Sequence, residues 1–216
     1  MNASQTPSDV FIENVRESLL LKQALLNDLE LIAMAAKVGE ELIRALGSGK
    51  KVLLFGNGGS AADAQHLAAE LVGRFDRERR SLPAIALTTD TSVLTAISND
   101  YSYESVFARQ LEALGMPGDV AIGISTSGSS PNVVSGIRTA RKAGVITVGM
   151  TGPRGRELAL CADHSICIPS LRTPRIQKAH ILVGHILCEI VEAGLFPDAS
   201  ASGLARNAVT EPGGMR

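Results

Sequence analysis

The sequence VLLFGNGGSAADAQHLAAEL, residues 52–71, determines how the rest of the chain is interpreted. Its first four residues are apolar, a Gly-rich turn follows at residues 56–59, and a helical pattern begins directly after the turn. A short apolar run that leads through glycines into a helix is typical of a buried parallel strand and its crossover helix. The stretch therefore predicts the first strand–helix unit of an α/β domain.

Four further apolar runs, each followed by an amphipathic segment, extend this pattern to residue 195. The predicted strands are 52–55, 84–87, 120–124, 145–150 and 165–168, and the predicted helices are 60–75, 92–114, 131–143, 155–160 and 174–195. The strands are apolar almost throughout, as expected where helices cover both faces of a sheet. We therefore predict an α/β fold: a doubly wound, five-stranded parallel sheet with helices on both faces, of the Rossmann-like type.

An N-terminal helical arm precedes the sheet. Apolar residues recur at helical spacing over residues 9–46 without a proline, and the polar pair at 27–28 predicts a break into two helices. Because the apolar positions form more than one stripe, we expect the arm to contact a second copy of the chain as well as its own domain. Residues 1–8 and the tail, 197–216, are predicted to be disordered, which leaves a single domain over residues 9–196.

Composition and charge exclude several classes of protein. The 216 residues carry 21 Lys and Arg against 22 Asp and Glu, and this balance disfavours electrostatic binding to nucleic acid. No apolar run is long enough to span a membrane, and the N-terminus lacks the basic and apolar regions of an export signal. The three cysteines do not have the spacing of a disulfide framework. These features predict a cytoplasmic protein that binds neither nucleic acid nor membrane.

Two loops at predicted strand ends carry the polar groups expected of a ligand site. The first, GNGGS at residues 56–60, is not a dinucleotide fingerprint, because Ala61 stands where that motif requires its third glycine. A tight turn explains this loop equally well, and we expect Ser60 to cap the following helix. The second loop, STSGSS at residues 125–130, brings five hydroxyls to a helix N-terminus without a lysine. Its hydroxyls, backbone N–H groups and helix dipole favour a phosphate group.

Two helices carry the candidate catalytic and metal-binding residues. His66 and Glu70 lie four residues apart on one helix face, where they suit a metal site or acid–base catalysis. The last helix carries Gln177, His180 and His185 beside a stripe of apolar residues. Gln177 and His185 are eight residues apart, about 12 Å along a helix axis, so His180 is an alternative ligand. A solvated helix face and structural roles for the histidines are the competing interpretations.

Three of these motifs resemble the sugar isomerase (SIS) domain family and, within it, the phosphoheptose isomerase family. They are GNGGSAADAQH at residues 56–66, STSGSS at 125–130 and RIQKAHILVGH at 175–185, and the resemblance runs from about residue 9 to residue 196. It implies an aldose–ketose isomerase that converts sedoheptulose 7-phosphate to D-glycero-D-manno-heptose 7-phosphate through an enediol. That reaction is the first step of activated-heptose synthesis for the lipopolysaccharide core. The resemblance also implies a homotetramer with active sites at subunit contacts.

The same resemblance assigns roles to individual residues. It makes Glu70 and His185 the acid/base pair and implies one zinc ion per subunit. The zinc ligands it implies are His66, Glu70, Gln177 and His185. The substrate contacts it implies are Asn57, Gly58, Gly59, Glu70, Asn99, Asp100, Ser125, Thr126, Ser127, Ser130 and Gln177. Pro174 stands where some relatives carry Asp, so a substrate contact is not carried over to that position.

Two other functions are open within the same fold. One is a non-catalytic relative that binds the bacterial replication initiator, and that family lacks equivalents of Glu70 and His185. The other is a phosphosugar sensor, which keeps the hydroxyl loop but needs no acid/base pair. The presence of both residues in this sequence favours the enzyme.

Overall fold

The computed structural model describes residues 6–154 and 156–197, in which helices and strands alternate after an N-terminal helical pair. The helices are α1 (Pro7–Asn27), α2 (Leu29–Gly47), α3 (Gly59–Val72), α4 (Thr91–Asp100), α5 (Val106–Leu114), α6 (Pro131–Lys142), α7 (Glu157–Cys161) and α8 (Thr173–Leu195). The strands are β1 (Val52–Gly56), β2 (Ala84–Ala86), β3 (Val120–Ser125), β4 (Ile146–Thr151) and β5 (His164–Cys167).

The five strands form one all-parallel sheet in the order β2-β1-β3-β4-β5, which confirms the predicted fold class. The chain goes outward from β1 to the edge strand β2 and then returns to place β3 on the other side of β1. Gly56 at the end of β1 therefore lies opposite Ile124 near the end of β3. This reversal is the point at which open parallel sheets bind ligands, beyond the carboxyl ends of the strands.

Two apolar layers enclose the sheet. Val52 and Leu54 of β1 belong to the layer formed with α2, α3 and α8. Leu53 and Phe55 belong to the opposite layer, formed with α5, α6 and α7. Because side chains alternate along a strand and both faces are covered, every residue of β1 is buried. This explains why the central strands are apolar almost throughout.

The N-terminal arm divides as predicted, with Asp28 between the two helices and its side chain accepting from the N–H of Leu31. The first helix begins earlier than expected, at Pro7, so residues 7 and 8 do not belong to a disordered N-terminus. Thr6 and Asp9 form a reciprocal capping box, which stabilises this earlier start. Residues 1–5 and the predicted tail beyond residue 197 lie outside the described residues.

The single helix predicted over residues 92–114 is wrong. The chain leaves α4 after Asp100, passes through an extended Ser102 and a 3₁₀ turn at Tyr103–Ser105, and then enters α5. The polar residues around this break, which favour caps over helix interiors, are the signal that the apolar periodicity obscured. Separately, no helix among the described residues is both long and apolar enough to cross a membrane.

Candidate active site

The two polar loops lie side by side because β1 and β3 are neighbours. The first loop follows Gly56 and the second begins at Ser125, one residue beyond the β1–β3 pairing. In the first loop, Gly58 adopts a positive φ of 55° and serves as the N-cap of α3. Ser60 is therefore inside the helix and not its cap, because the glycine's backbone makes the turn two residues earlier than expected.

The second loop folds its serines around one another. The Oγ of Ser125 lies 2.8 Å from the Oγ of Ser130 and 3.2 Å from that of Ser127. Ser125 is buried, Thr126 and Ser130 are half-buried, and Ser127 is exposed. Ser130 is also the N-cap of α6, with Pro131 in the first turn. The hydroxyls therefore surround a helix N-terminus, where backbone N–H groups and the dipole favour an anion.

A pair of amides connects the two loops. Asn57 donates from Nδ2 to the Oδ1 of Asn132 at 2.8 Å and accepts from the Nδ2 of Asn132 at 2.9 Å. The hydroxyl of Tyr103 also donates to the Oδ1 of Asn57 at 3.0 Å. Asn132 and Tyr103 are not among the predicted site residues, although Asn132 follows the predicted helix start at Pro131. The pairing holds the Gly-rich turn at a fixed position relative to the hydroxyl loop.

Helices α3 and α8 run side by side in the same direction. Gln177 contacts α3 at its first turn, Gly184 packs on Leu67 in the middle, and His185 meets His66 directly afterwards. A methyl group at Gly184 would lie 2.7 Å from the Leu67 side chain, so the close approach of the helices requires glycine there. This approach brings the two histidines together from positions 119 residues apart.

His66, Glu70 and His185 form a compact cluster. The Nε2 atoms of the two histidines are 2.8 Å apart, and the Oε1 of Glu70 is 3.4 Å from the Nε2 of His66. His66 is exposed, whereas Glu70 and His185 are half-buried. The ring of Phe75, which sequence analysis did not single out, lies 5.3 Å from the His185 ring and covers one side of it.

The cluster has the donor set of a catalytic zinc site. One nitrogen or oxygen atom from each of the three side chains lies within 4.8 Å of the others, and two histidines with one carboxylate leave a fourth position free. Two imidazole lone pairs repel at 2.8 Å, so either one Nε2 carries a proton or both face a shared cation. The residues therefore fit a zinc ion as well as a proton-transfer pair.

Gln177 occupies the start of α8 beside the N-terminus of α3. Its Nε2 lies 3.5 Å from the Oδ1 of Asp63, at the limit of a hydrogen bond. A side chain at Gly59 would collide with the Gln177 amide, so the two helices are in close contact at this point. Burial raises the pKa of Asp63, whose Oδ2 has no hydrogen-bond partner among the described residues. Gln177 therefore contacts the N-terminal part of α3, whereas His185 contacts His66 further along the same helix.

Asn99 and Asp100 lie at the end of α4, and both side chains are exposed. The Nδ2 of Asn99 donates to the Oδ1 of Asp100 at 2.8 Å. The structure does not bring either residue into hydrogen-bond contact with the described residues of the two loops or the histidine cluster.

His180 belongs to the core and not to the cluster. Its ring is buried, and Nε2 lies 3.0 Å from the carbonyl oxygen of Thr151, which only accepts, so Nε2 carries the proton. Its Nδ1 has no partner among the described residues. Burial lowers the pKa of His180 to about 4, because the charged imidazolium loses its hydration.

This buried histidine predicts a pH-dependent loss of stability. Between the ordinary pKa of 6.5 and about 4, the unfolded chain binds a proton at this position that the folded chain does not. The free energy of unfolding should therefore fall as the pH drops through that range, by about 2 kcal/mol between pH 7 and pH 4.5. Urea unfolding of wild type and His180→Gln at fixed protein concentration measures this, because the variant lacks the titration. Equal pH slopes in the two proteins would contradict it.

The sequence is similar to those of known proteins that belong to one family. The sequence profile of the SIS domain matches residues 11–152. The chain is 53% identical over 197 residues to a phosphoheptose isomerase of Roseiflexus sp., covering 89% of this chain and 99% of that protein. It is 49% identical over 189 residues to one from Aneurinibacillus thermoaerophilus, covering 88% and 96%.

Solved structures agree with these sequence matches. A phosphoheptose isomerase from Neisseria gonorrhoeae superposes with a TM-score of 0.82 at 40% identity, over 87% of this chain and 100% of that one. A phosphoheptose isomerase from Francisella tularensis superposes with a TM-score of 0.80 at 36% identity, over 86% and 98%. These matches each span more than four fifths of this chain, and the SIS profile includes both polar loops together with His66 and Glu70.

Proposed function

We propose a mechanism by which the residues of this chain isomerise sedoheptulose 7-phosphate. The chain belongs to the SIS domain family and, within it, to the phosphoheptose isomerases. The observation that carries the proposal is the His66–Glu70–His185 cluster on α3 and α8, where α3 begins at the Gly-rich turn that the Asn57–Asn132 pair joins to the start of α6 beside the hydroxyl loop. Aldose–ketose isomerisation requires a proton-transfer pair at one end of the sugar and an anchor for the phosphate at the other. This chain offers both.

The hydroxyl loop anchors the phosphate of the substrate. Ser125, Thr126, Ser127 and Ser130 donate to its oxygens together with N–H groups of the first turn of α6. The amides of Asn57 and its neighbouring glycines bind the sugar hydroxyls from the opposite loop. Binding energy from the phosphate, which does not react, thereby holds the first two carbons at the cluster.

Glu70 and His185 transfer the protons. One of them removes a proton from C1 of the ketose, which gives the enediol, and the proton returns to C2. The other moves the proton between the two oxygens, so that the C2 carbonyl becomes a hydroxyl and the C1 hydroxyl becomes the aldehyde. No atom is gained or lost, and both residues regain their starting protonation state.

His66, Glu70 and His185 would hold a zinc ion, with Gln177 as a fourth ligand. The chemistry that zinc would supply there is polarisation of the sugar carbonyl, which favours loss of the proton from the neighbouring carbon. Asn99 and Asp100 contact the substrate in the assembled enzyme. The product serves the synthesis of heptose-bearing glycans such as the lipopolysaccharide core. We place the enzyme in the cytoplasm, since all three cysteines are free thiols, as in a reducing compartment.

The direct test is conversion of the substrate. Purified protein incubated with sedoheptulose 7-phosphate should yield an aldoheptose 7-phosphate, detected by NMR of the anomeric protons. Fructose 6-phosphate is the matched control, because it offers the same keto group and a phosphate one carbon closer. A replication-initiator ligand or a phosphosugar sensor would bind the sugar phosphate at most, so binding without turnover would reject the enzyme.

A second copy of the chain covers the N-terminal arm. The exposed large apolar residues between positions 10 and 32 are Val10, Phe11, Ile12, Val15, Leu19, Leu20, Leu26, Leu29 and Ile32. An apolar cavity of about 460 Å³ lies between α1, α2 and α8, and it is lined by Leu26, Ile32 and Ile186 among others. Soluble monomers rarely expose so large an apolar surface. We assign this face to the contacts of a homotetramer whose active sites adjoin the subunit contacts.

Light scattering at micromolar concentration should therefore give the mass of four chains. Leu26→Glu should lower that mass and the activity together, because it places a charge in the apolar cavity. Leu160→Glu is the matched control, since both leucines are 74% exposed and Leu160 lies on α7, away from the arm. A wild-type monomer, or a Leu26→Glu protein with unchanged mass, would reject this assembly.

Ser127→Ala should raise KM at least severalfold and leave kcat nearly unchanged. Its hydroxyl contacts a group that does not react, so substrate and transition state lose the same interaction. Ser135→Ala on α6 is the control, because it removes a hydroxyl outside the loop. Steady-state kinetics with sedoheptulose 7-phosphate measure KM and kcat separately. An unchanged KM for Ser127→Ala would mean that the phosphate binds elsewhere.

A further inference from the structure

The segment that follows α3 is attached to α8 through a buried carboxylate. Glu192 lies two helical turns beyond His185 and is only 1% exposed. Its two oxygens accept hydrogen bonds from three successive backbone N–H groups, those of Phe75, Asp76 and Arg77, at 2.8–2.9 Å. Burial alone would raise the pKa of Glu192, but these bonds and the Arg79 guanidinium outweigh it, so the pKa is lowered.

Arg79 completes the attachment from the other side. Its side chain is fully buried and donates from Nε to the Oε1 of Glu192 at 2.9 Å. Its remaining nitrogens donate to carbonyl oxygens at the end of α3, those of Glu70 at 2.8 Å, Leu71 at 2.9 Å and Gly73 at 3.1 Å. Carbonyls at a helix C-terminus lack partners within the helix, and a buried guanidinium satisfies several of them at once.

The ion pair thus connects the backbone of Glu70 to the helix that carries His185. The same connection fixes Phe75, whose N–H is bound by Glu192 and whose ring packs on His185. Neither Arg79 nor Glu192 touches the cluster with its own charged group. Their contacts instead join the C-terminal end of α3, at the backbone of Glu70, to α8 two turns beyond His185.

We infer that Arg79 and Glu192 are positioning residues for the isomerisation: the buried pair holds Glu70 and His185 at the separation that proton transfer and zinc binding require. This inference rests on the proposed function. A purely structural pair elsewhere would stabilise the fold without affecting this separation. The chain contains such a pair for comparison. Asp119, buried at the start of β3, accepts from the backbone N–H groups of Lys51 and Met116 and from the Lys51 ammonium.

Arg79→Lys is the main test, because it keeps the buried charge opposite Glu192 but removes the bonds to the end of α3. We expect kcat to fall at least 10-fold with KM changed less than twofold. Zinc affinity, measured by competition with a chelator, should fall about 10–100-fold, as when partners of metal ligands are removed elsewhere. The ring signals of His66 and His185 in NMR spectra of the zinc-free protein should shift, whereas those of His164 should not.

Glu192→Gln and Asp119→Asn form the matched pair of controls. Each removes the charge of a buried carboxylate that binds backbone N–H groups, so both should lower the thermal midpoint. At a temperature where both remain folded, only Glu192→Gln should lower kcat and zinc affinity. Unchanged kcat, zinc affinity and histidine signals in both Arg79→Lys and Glu192→Gln would overturn the inference. An equal loss of kcat in Asp119→Asn would overturn it as well, because the effect would then be general destabilisation.

Failure of the proposed function is distinguishable from failure of this inference. If the wild-type chain does not convert sedoheptulose 7-phosphate, the function is rejected. The zinc-free histidine spectra still report whether the pair sets the geometry of the cluster, because they need neither substrate nor metal.

Discussion

Glu70→Gln should retain the fold and lose nearly all turnover of sedoheptulose 7-phosphate. Gln has the same volume and can still accept a hydrogen bond, but it cannot gain and release a proton near neutral pH. Glu70 is half-buried, and its Oε1 lies 3.4 Å from the Nε2 of His66. General acid–base catalysis is worth about 10²–10⁴-fold, and we expect kcat to fall by that factor. Steady-state kinetics on the purified variant measure it.

Glu41→Gln is the matched control for this substitution. Glu41 is also a half-buried helical glutamate whose Oε1 faces a histidine, His164, at 3.9 Å. It lies on α2 and contributes no atom to the cluster, so its variant should keep wild-type kcat. Wild-type turnover in Glu70→Gln would refute the proton-transfer role, and the non-catalytic functions would then be favoured if no other sugar phosphate were converted.

The sheet was predictable because its central strands are buried on both faces. Continuous apolar runs such as residues 120–124 have no competing interpretation once a helical pattern follows them, and the structure extends this strand by only one residue. The helix boundaries that were predicted wrongly depend on the conformation of the backbone at single residues. Gly58 takes the cap position expected of Ser60, and the turn around Ser102 divides a helix whose apolar residues kept their spacing.

The sequence predicted which residues form the candidate site but not how they are arranged in space. Spacing alone placed His66 and Glu70 on one face, but their contact with His185 depends on how closely two distant helices pack. That packing requires the glycine at position 184, which has no signature in a single sequence. Arg79 and Glu192 were not predictable for the same reason, because they pair with each other across 113 residues and Glu192 also binds backbone N–H groups more than 100 residues away.

Gln177 and His185 are separated by about 12 Å along α8, whereas Asp63 and His66, the α3 residues that they contact, are only three residues apart. The Gln177 side chain contacts Asp63, so its role as a zinc ligand stays a prediction. The site is therefore a groove between two helices and not a point on one of them. His180, the alternative ligand, faces the end of β4 from within the core, which explains why a histidine of the same helix is unavailable to the groove.

His185→Asn should also reduce kcat by about 10²–10⁴-fold, because Asn cannot exchange a proton near neutral pH. His164→Asn, which changes a histidine outside the cluster, should keep wild-type turnover. Since Glu70 and His185 act in one proton-transfer sequence, Glu70→Gln combined with His185→Asn should be scarcely slower than either single variant. Losses that multiply would instead mean that the two residues act independently, which would contradict the shared sequence.

The zinc content of His185→Asn distinguishes two causes of lost activity, the loss of a zinc ligand and the loss of the group that transfers the proton. The Nε2 atoms of His66 and His185 are 2.8 Å apart, so both rings face any ion bound between them. Metal analysis that finds zinc lost from His185→Asn, with activity recovered in excess zinc, would assign the ring mainly to ligation. Zinc retained at the wild-type ratio with turnover still absent is the result we expect if His185 moves the proton, because three ligands remain to hold the ion. His66→Asn supplies the contrast: it removes a ligand that the proposed mechanism does not use for proton transfer, so its activity should follow its zinc content throughout a zinc titration.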